Sequence, residues 1–129
     1  MENIIIDTSI FIDYDRTGKG PYLSLINLAR EQKVKLYVPS IVIMEFWVGS
    51  SMKDKNKEKV AEKLFNGMER IPLNEEIAKL GAKLIRNKEI ETGFDAIVAA
   101  STIYLSASLV TKNTKHFKKI KNLKLHPNL

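Results

Sequence analysis

The sequence predicts a three-layer α/β/α fold with a short, mostly parallel central sheet. Short apolar runs rich in Ile, Val and Leu alternate with segments of helical spacing, and the intervals between the runs are too long for hairpins. Residues 95–106 add a third observation: they are apolar nearly all round and rich in alanine, so as a helix they belong deep against a covered sheet. At 129 residues, 44% of them hydrophobic, with 4 Pro and 6 Gly, the chain fits one compact core, and residues 1–129 read as a single domain.

Taken in order, residues 3–6 are a β-branched run ending at Asp7, the pattern of a buried central strand, and residues 8–12 open the next element. Residues 14–21, with Gly18, Gly20 and Pro21, read as a loop. Tyr22, Leu25, Ile26 and Leu28 give helical spacing to about Gln32; residues 35–38 form the second strand, which Pro39 stops. Ser40 stands as N-cap of a helix over residues 41–50, on which Glu45 shares an inward-looking row with Ile41 and Val48. Residues 55–68 read as a further helix and residues 70–73 as a brief strand or connector. Asn74 caps a helix with Glu75 and Glu76 in its favoured first turn and Ile77, Leu80 and Leu84 in its core stripe. Thr92 and Gly93 lead into the apolar helix, residues 109–111 make a strand, 112–114 a polar loop, and 121–125 a last edge strand.

Composition excludes several classes of chemistry. Without cysteine there are no disulfides, thiolate metal sites or cysteine nucleophiles, and only His116 and His126 offer imidazole. Neither histidine has a neighbouring pattern that would orient its ring, so both read as solvent-exposed. The apolar runs fall far short of the ~20 residues that span a bilayer, and the N-terminus lacks the basic start of a signal peptide, which points to a soluble, cytoplasmic chain with no membrane partner. The net charge is +6, and no acid follows Asp95. That tail holds Lys112, Lys115, Lys118, Lys119, Lys121 and Lys124, a one-sign field suited to polyanions or to plain solubility. Lys112, Lys115 and Lys118, with no acid near them in sequence, are the candidates for phosphate contacts.

Three lone acids sit inside the most apolar stretches: Asp7 after Ile4-Ile5-Ile6, Glu45 within Ile41-Val42-Ile43-Met44-Glu45-Phe46-Trp47-Val48, and Asp95 before Ala96-Ile97-Val98. Burying an unpaired carboxylate costs several kcal/mol, and three that converge also repel one another. Asp7 has an innocent reading as a helix cap, and Thr92 and Asp95 fit the capping-box spacing. Glu45 lies mid-helix, so it is either paired with a cation or part of a site. Phe46 and Trp47 beside it suit core or interface better than base stacking, and Asp13 and Asp15 read as surface loop residues. A divalent ion held by oxygen, Mg²⁺ or Mn²⁺, resolves burial and repulsion together. Such an ion makes a nucleophile of water and neutralises a phosphodiester, which would make Asp7, Glu45 and Asp95 the catalytic acids.

Four blocks then resemble the PIN-domain family, and within it the small VapC-type toxins of toxin–antitoxin pairs. They are Asp7-Thr8-Ser9-Ile10-Phe11-Ile12-Asp13, Ser40-Ile41-Val42-Ile43-Met44-Glu45-Phe46-Trp47-Val48-Gly49, Gly93-Phe94-Asp95-Ala96-Ile97-Val98-Ala99-Ala100, and Leu109-Val110-Thr111-Lys112-Asn113-Thr114-Lys115-His116-Phe117. The likeness runs from Ile4 to about Leu125. It implies a Mg²⁺- or Mn²⁺-dependent endoribonuclease that cuts RNA phosphodiesters, forms homodimers and is silenced by a small cognate antitoxin. On that likeness Asp7 and Asp95 would be the main metal ligands, and Glu45 would join directly or through a metal-bound water. Thr8 or Ser9 would orient Asp7, with Thr111 in support. The fourth block departs from the family, since members often carry an acid where Asn113 stands. Two other readings are kept: a non-catalytic basic nucleic-acid or protein-binding module, and a housekeeping PIN nuclease of RNA processing. A phosphoaspartate domain is disfavoured, because the second Asp it wants two positions after Asp7 is Ser9.

Overall fold

A computed structural model describes residues 1–127, with Ser50 and Ser51 described by backbone alone. The elements run β1 (Glu2–Ile6), α1 (Thr8–Thr17), α2 (Tyr22–Arg30), β2 (Val34–Pro39), α3 (Ser40–Trp47), a 3-10 turn (Ser50–Lys53), α4 (Lys55–Leu64), β3 (Glu69–Ile71), α5 (Glu75–Arg86), α6 (Gly93–Tyr104), β4 (Ser108–Val110), α7 (Thr114–Phe117) and β5 (Lys124–Leu125). Strand order is β3-β2-β1-β4-β5, and every pairing among the described residues is parallel. The expected α/β/α architecture holds, and its sheet is wholly rather than mostly parallel.

Ile4, Ile5 and Ile6 are all fully buried, although consecutive strand residues face opposite sides of the sheet. Both faces of β1 are therefore covered, as parallel sheets require. From β1 the chain winds outward through β2 and β3, then returns to lay β4 on the other side of β1 and β5 beyond it. The order reverses between β1 and β4, and a crevice outside the strands' carboxyl ends at such a switch is where ligands bind in open parallel sheets. Asp7 and Thr111 directly follow these two strands.

Aromatic rings knit α1, α2, α3 and the end of α4 together. Phe65 lies 4.8 Å from Phe11 and 5.7 Å from Phe46, ring centre to ring centre, and Tyr22 donates its hydroxyl to the carbonyl of Leu64 at 2.6 Å. On the other side, α5 and α6 approach closely because Gly81 meets Ala96 and Ala100; a Cβ on Gly81 would already lie 3.5 Å from the Ala96 carbonyl oxygen.

Several boundaries differ from expectation. The loop expected from residue 14 begins only at Gly18, whose φ of +69° ends α1. Polar Asp13, Asp15 and Arg16 are helical because Tyr14 stacks on Tyr22 at 4.4 Å and ties that turn to α2. Ser40 is the first residue of α3 and not its cap. The helix expected over residues 55–68 stops at Leu64, ahead of a turn through Gly67, while Arg70 donates to the carbonyls of Phe65 and Met68. Asp54 caps its start by accepting from the Asn56 N–H. Residues 114–117, continuing from the expected polar loop, close a short helix, and the last strand shrinks to Lys124–Leu125. Val48 is 77% exposed, so it leaves the inward row expected of it, while Ile41 packs on the core and Glu45 is half-buried. His126 is also not the exposed ring expected: its side chain is 9% accessible and approaches Glu2 at 3.9 Å.

Candidate metal centre

Asp7 leaves β1 with its backbone N–H still donating to the Val110 carbonyl at 3.0 Å, so the ladder with β4 extends one residue past the strand. Its carboxylate, on a residue only 3% exposed, makes no side-chain cap for α1. The cap reading of Asp7 is thereby replaced by another arrangement. Thr111 donates to its Oδ2 at 2.7 Å and Ser9 donates to the same oxygen at 3.1 Å. Each hydroxyl is in turn fed by the loop after β4: Lys112 N–H donates to Ser9 Oγ and Asn113 N–H to Thr111 Oγ1, both at 3.0 Å. Such chains align donors and strengthen each bond.

Burial pushes the Asp7 carboxyl above its ordinary range; bonds from Thr111, Ser9 and the Thr8 backbone oppose this, and the Asp95 charge adds to it. Glu45 is raised as well, first by burial, with the Thr8 hydroxyl pulling back and the charges of Asp7 and Asp95 pushing up. Thr8 donates to Glu45 Oε1 at 2.9 Å. The expectation that either Thr8 or Ser9 orients Asp7 thus divides: Ser9 holds Asp7, and Thr8 holds Glu45. Asp95 sits in the first turn of α6, where its N–H donates to the Thr92 hydroxyl at 3.4 Å, half of the expected capping box. Its Oδ2 lies 3.2 Å from His116 Nδ1.

The Asp95 charge acts on Asp7 and Glu45, and that of Asp7 on Glu45, yet among the described residues no Lys or Arg makes an ion pair with any of the three. Among the same residues no three His, Asp or Glu side chains close into a ready-made ligand cage. Carboxylates within reach of one another's charge and without a Lys or Arg counter-ion among the described residues are the hard oxygen donors of a hydrated ion such as Mg²⁺, which keeps several waters and takes only one or two carboxylates directly. The donor set therefore fits a hard divalent cation held partly through water.

Other candidate residues divide. Asn113 joins the network through its backbone N–H and does not cap α7 with its side chain. Lys112 has a partner that sequence did not reveal, Asp13 at 3.0 Å, which also removes Asp13 from the free surface. Lys115 and Lys118 are exposed. Phe46 and Trp47 pack on Phe65, confirming the core reading of the pair. His116 is exposed as expected, but its contact with Asp95 has no sequence signal, because it depends on the four-residue α7, too short to be periodic.

A family model described as "PIN domain" matches residues 4–123. No curated protein matches the chain. Among solved structures, a chain of VapBC2 from Rickettsia felis, bound to a promoter DNA fragment, is 26% identical with a TM-score of 0.78, over 96% of this chain and 97% of that one. A chain of DNA-bound VapBC from Salmonella typhimurium gives a TM-score of 0.82 at 20% identity over 98% of both chains. FitAcB from Neisseria gonorrhoeae gives 0.74 at 18% identity over 96% of this chain and 97% of that one. With the family model matched over nearly the whole length and the sheet and acidic edge in place, the chain belongs to the PIN-domain family.

Proposed function

We propose that this chain is the toxin of a toxin–antitoxin pair, an endoribonuclease working as a single domain that hydrolyses RNA phosphodiester bonds with Mg²⁺ or Mn²⁺. PIN membership and the VapBC likenesses support a toxin nuclease and an antitoxin partner. The observation that carries the metal-dependent reading is the gathering of Asp7, Glu45 and Asp95 at the switch between β1 and β4, mutually repelling and without a Lys or Arg counter-ion among the described residues.

In this reading Asp7 and Asp95 hold the ion and Glu45 joins directly or through water. A divalent ion bound there supplies a water of lowered pKa and charge neutralisation for the phosphodiester. Ser9 and Thr111 fix Asp7, and Thr8 fixes Glu45, so the oxygens are aimed before substrate arrives. Lys115 and Lys118 hold substrate phosphates, whereas Lys112 is already engaged by Asp13. A cytoplasmic location is part of the same proposal; among the described residues no helix is long and apolar enough to cross a membrane. Homodimerisation belongs to the same proposal.

Purified protein, freed of any partner, tests the reading: RNA cleavage that requires Mn²⁺ and stops in EDTA supports it, and cleavage in EDTA at the full rate rejects it. Two observations favour a second reading, a binding module without catalysis: among the described residues the acids form no closed ligand set, and His116 engages Asp95. RNA binding with no cutting at saturating Mn²⁺ would select that reading.

A further inference from the structure

We propose that the cleft beside Asp95 seats one nucleotide of the substrate strand, next to the phosphate that is cut; this rests on the ribonuclease reading above. A cavity of about 590 Å³ opens between the end of α5 with its following loop and α7. That volume falls within the roughly 300–1,000 Å³ of small-molecule sites. Asp95 and His116 line it, so it borders the candidate metal centre at Asp95, the one of the three acids in its wall.

The lining sorts by chemistry. Ile85 and buried Ile90 give an apolar surface for a base or ribose. Lys88, Lys115 and Lys119 bring three ammonium groups, none of them in an ion pair among the described residues. Ammonium groups are point donors suited to phosphate oxygens. Glu89 and Glu91 add carboxylates; Glu89 already accepts from the Lys121 N–H at 3.3 Å, while Glu91 can accept from base N–H groups and repels anions. A nucleotide offers both the phosphate that the lysines want and the N–H donors that Glu91 wants. An acidic peptide offers only charge, and Glu91 opposes it.

Lys88 offers the cleanest variant, although Gln32 and Ser106 stand at positive φ after α2 and α6 as well. It follows α5 with φ at +59°, a left-handed conformation that a lysine adopts only at some cost and glycine adopts freely. Replacing it with glycine removes the charge and relieves the backbone together. The fold cannot be blamed for a resulting loss of binding.

The test uses the whole chain in EDTA, which separates binding from cutting, and a fluorescent single-stranded RNA oligomer of mixed sequence titrated at several salt concentrations. Each phosphate contact on a single strand contributes about −0.7 to the slope of log affinity against log salt. Lys88→Gly is expected to flatten that slope by about 0.7 with no drop in melting temperature, and the triple change Lys88→Gly, Lys115→Gln, Lys119→Gln by about 2. Lys57→Gln with Lys63→Gln on α4 should leave it unchanged. A triple variant that binds with the parent's affinity and slope overturns the cleft assignment and leaves the ribonuclease reading standing. A triple variant that keeps RNA but loses a poly-glutamate peptide assigns the cleft to an acidic protein segment and also overturns it. A parent chain that neither binds nor cuts RNA overturns both.

Discussion

Thr111 Oγ1 donates to Asp7 Oδ2 across 2.7 Å, tying the end of β4 to the end of β1 at the point where the sheet changes direction. The same hydroxyl accepts from the Asn113 N–H, so one side chain sets both the carboxylate and the loop that carries the lysine tail.

Thr111→Val keeps the shape and deletes this donor. Leaving a buried carboxylate short of a bond costs about 1–3 kcal/mol, and loss of a group that orients a metal ligand typically costs about 10–100-fold in metal affinity. Urea unfolding and a Mn²⁺ titration of cleavage should show both effects, and Thr111→Ser should restore both.

Asp7→Asn trades function for stability. The folded carboxyl of Asp7 is raised above its ordinary 3.8, so the native state without metal binds more protons than the unfolded chain. The favourable contribution is present below 3.8 and is lost as pH rises through the raised folded value; Glu45, raised from 4.5, adds in the same direction. At pH 7 in EDTA the asparagine variant should therefore be more stable by roughly 1 kcal/mol, about 4 °C in melting temperature. Its stability should also fall less steeply than the parent's between pH 4 and 7, as read by thermal melts across that range.

Metal should stabilise the parent through mass action. At a hundred times its dissociation constant, Mn²⁺ adds about 2.7 kcal/mol to unfolding free energy. A melting curve that rises with Mn²⁺ in the parent and stays flat in Asp7→Asn would locate the ion at this carboxylate, independently of any activity.

Phe65→Ala should cost about 3–5 kcal/mol, because the ring is 2% exposed and touches Phe11, Phe46 and Trp47 at once. Chemical denaturation measures it directly. Since Phe46 and Trp47 directly follow Glu45 on α3, cleavage should fall beyond what the unfolded fraction explains.

The parallel sheet was legible because its central strands are apolar on both faces: three consecutive isoleucines cannot alternate in and out, so both sides had to be covered. The acids stood out for the same reason, as charges in runs that burial demands be apolar. What sequence hid was set by contacts between distant segments. Tyr14 looked like loop until Tyr22 stacked on it, and Val48 looked inward by periodicity but is exposed. Lys112 looked free until α1 brought Asp13 beside it, and His116 met Asp95 only through a one-turn helix. Thr8 and Ser9 are neighbours in the chain, yet helical geometry sends one to Glu45 and the other to Asp7.

The most direct measurement is the rate at which purified parent and Asp7→Asn proteins cut a single-stranded RNA, with Mn²⁺ and with EDTA. Cleavage by the parent in Mn²⁺ alone, and none by a folded Asp7→Asn protein in either condition, is the expected result. Undiminished cleavage by Asp7→Asn, or by the parent in EDTA, would contradict a metal site built on this carboxylate.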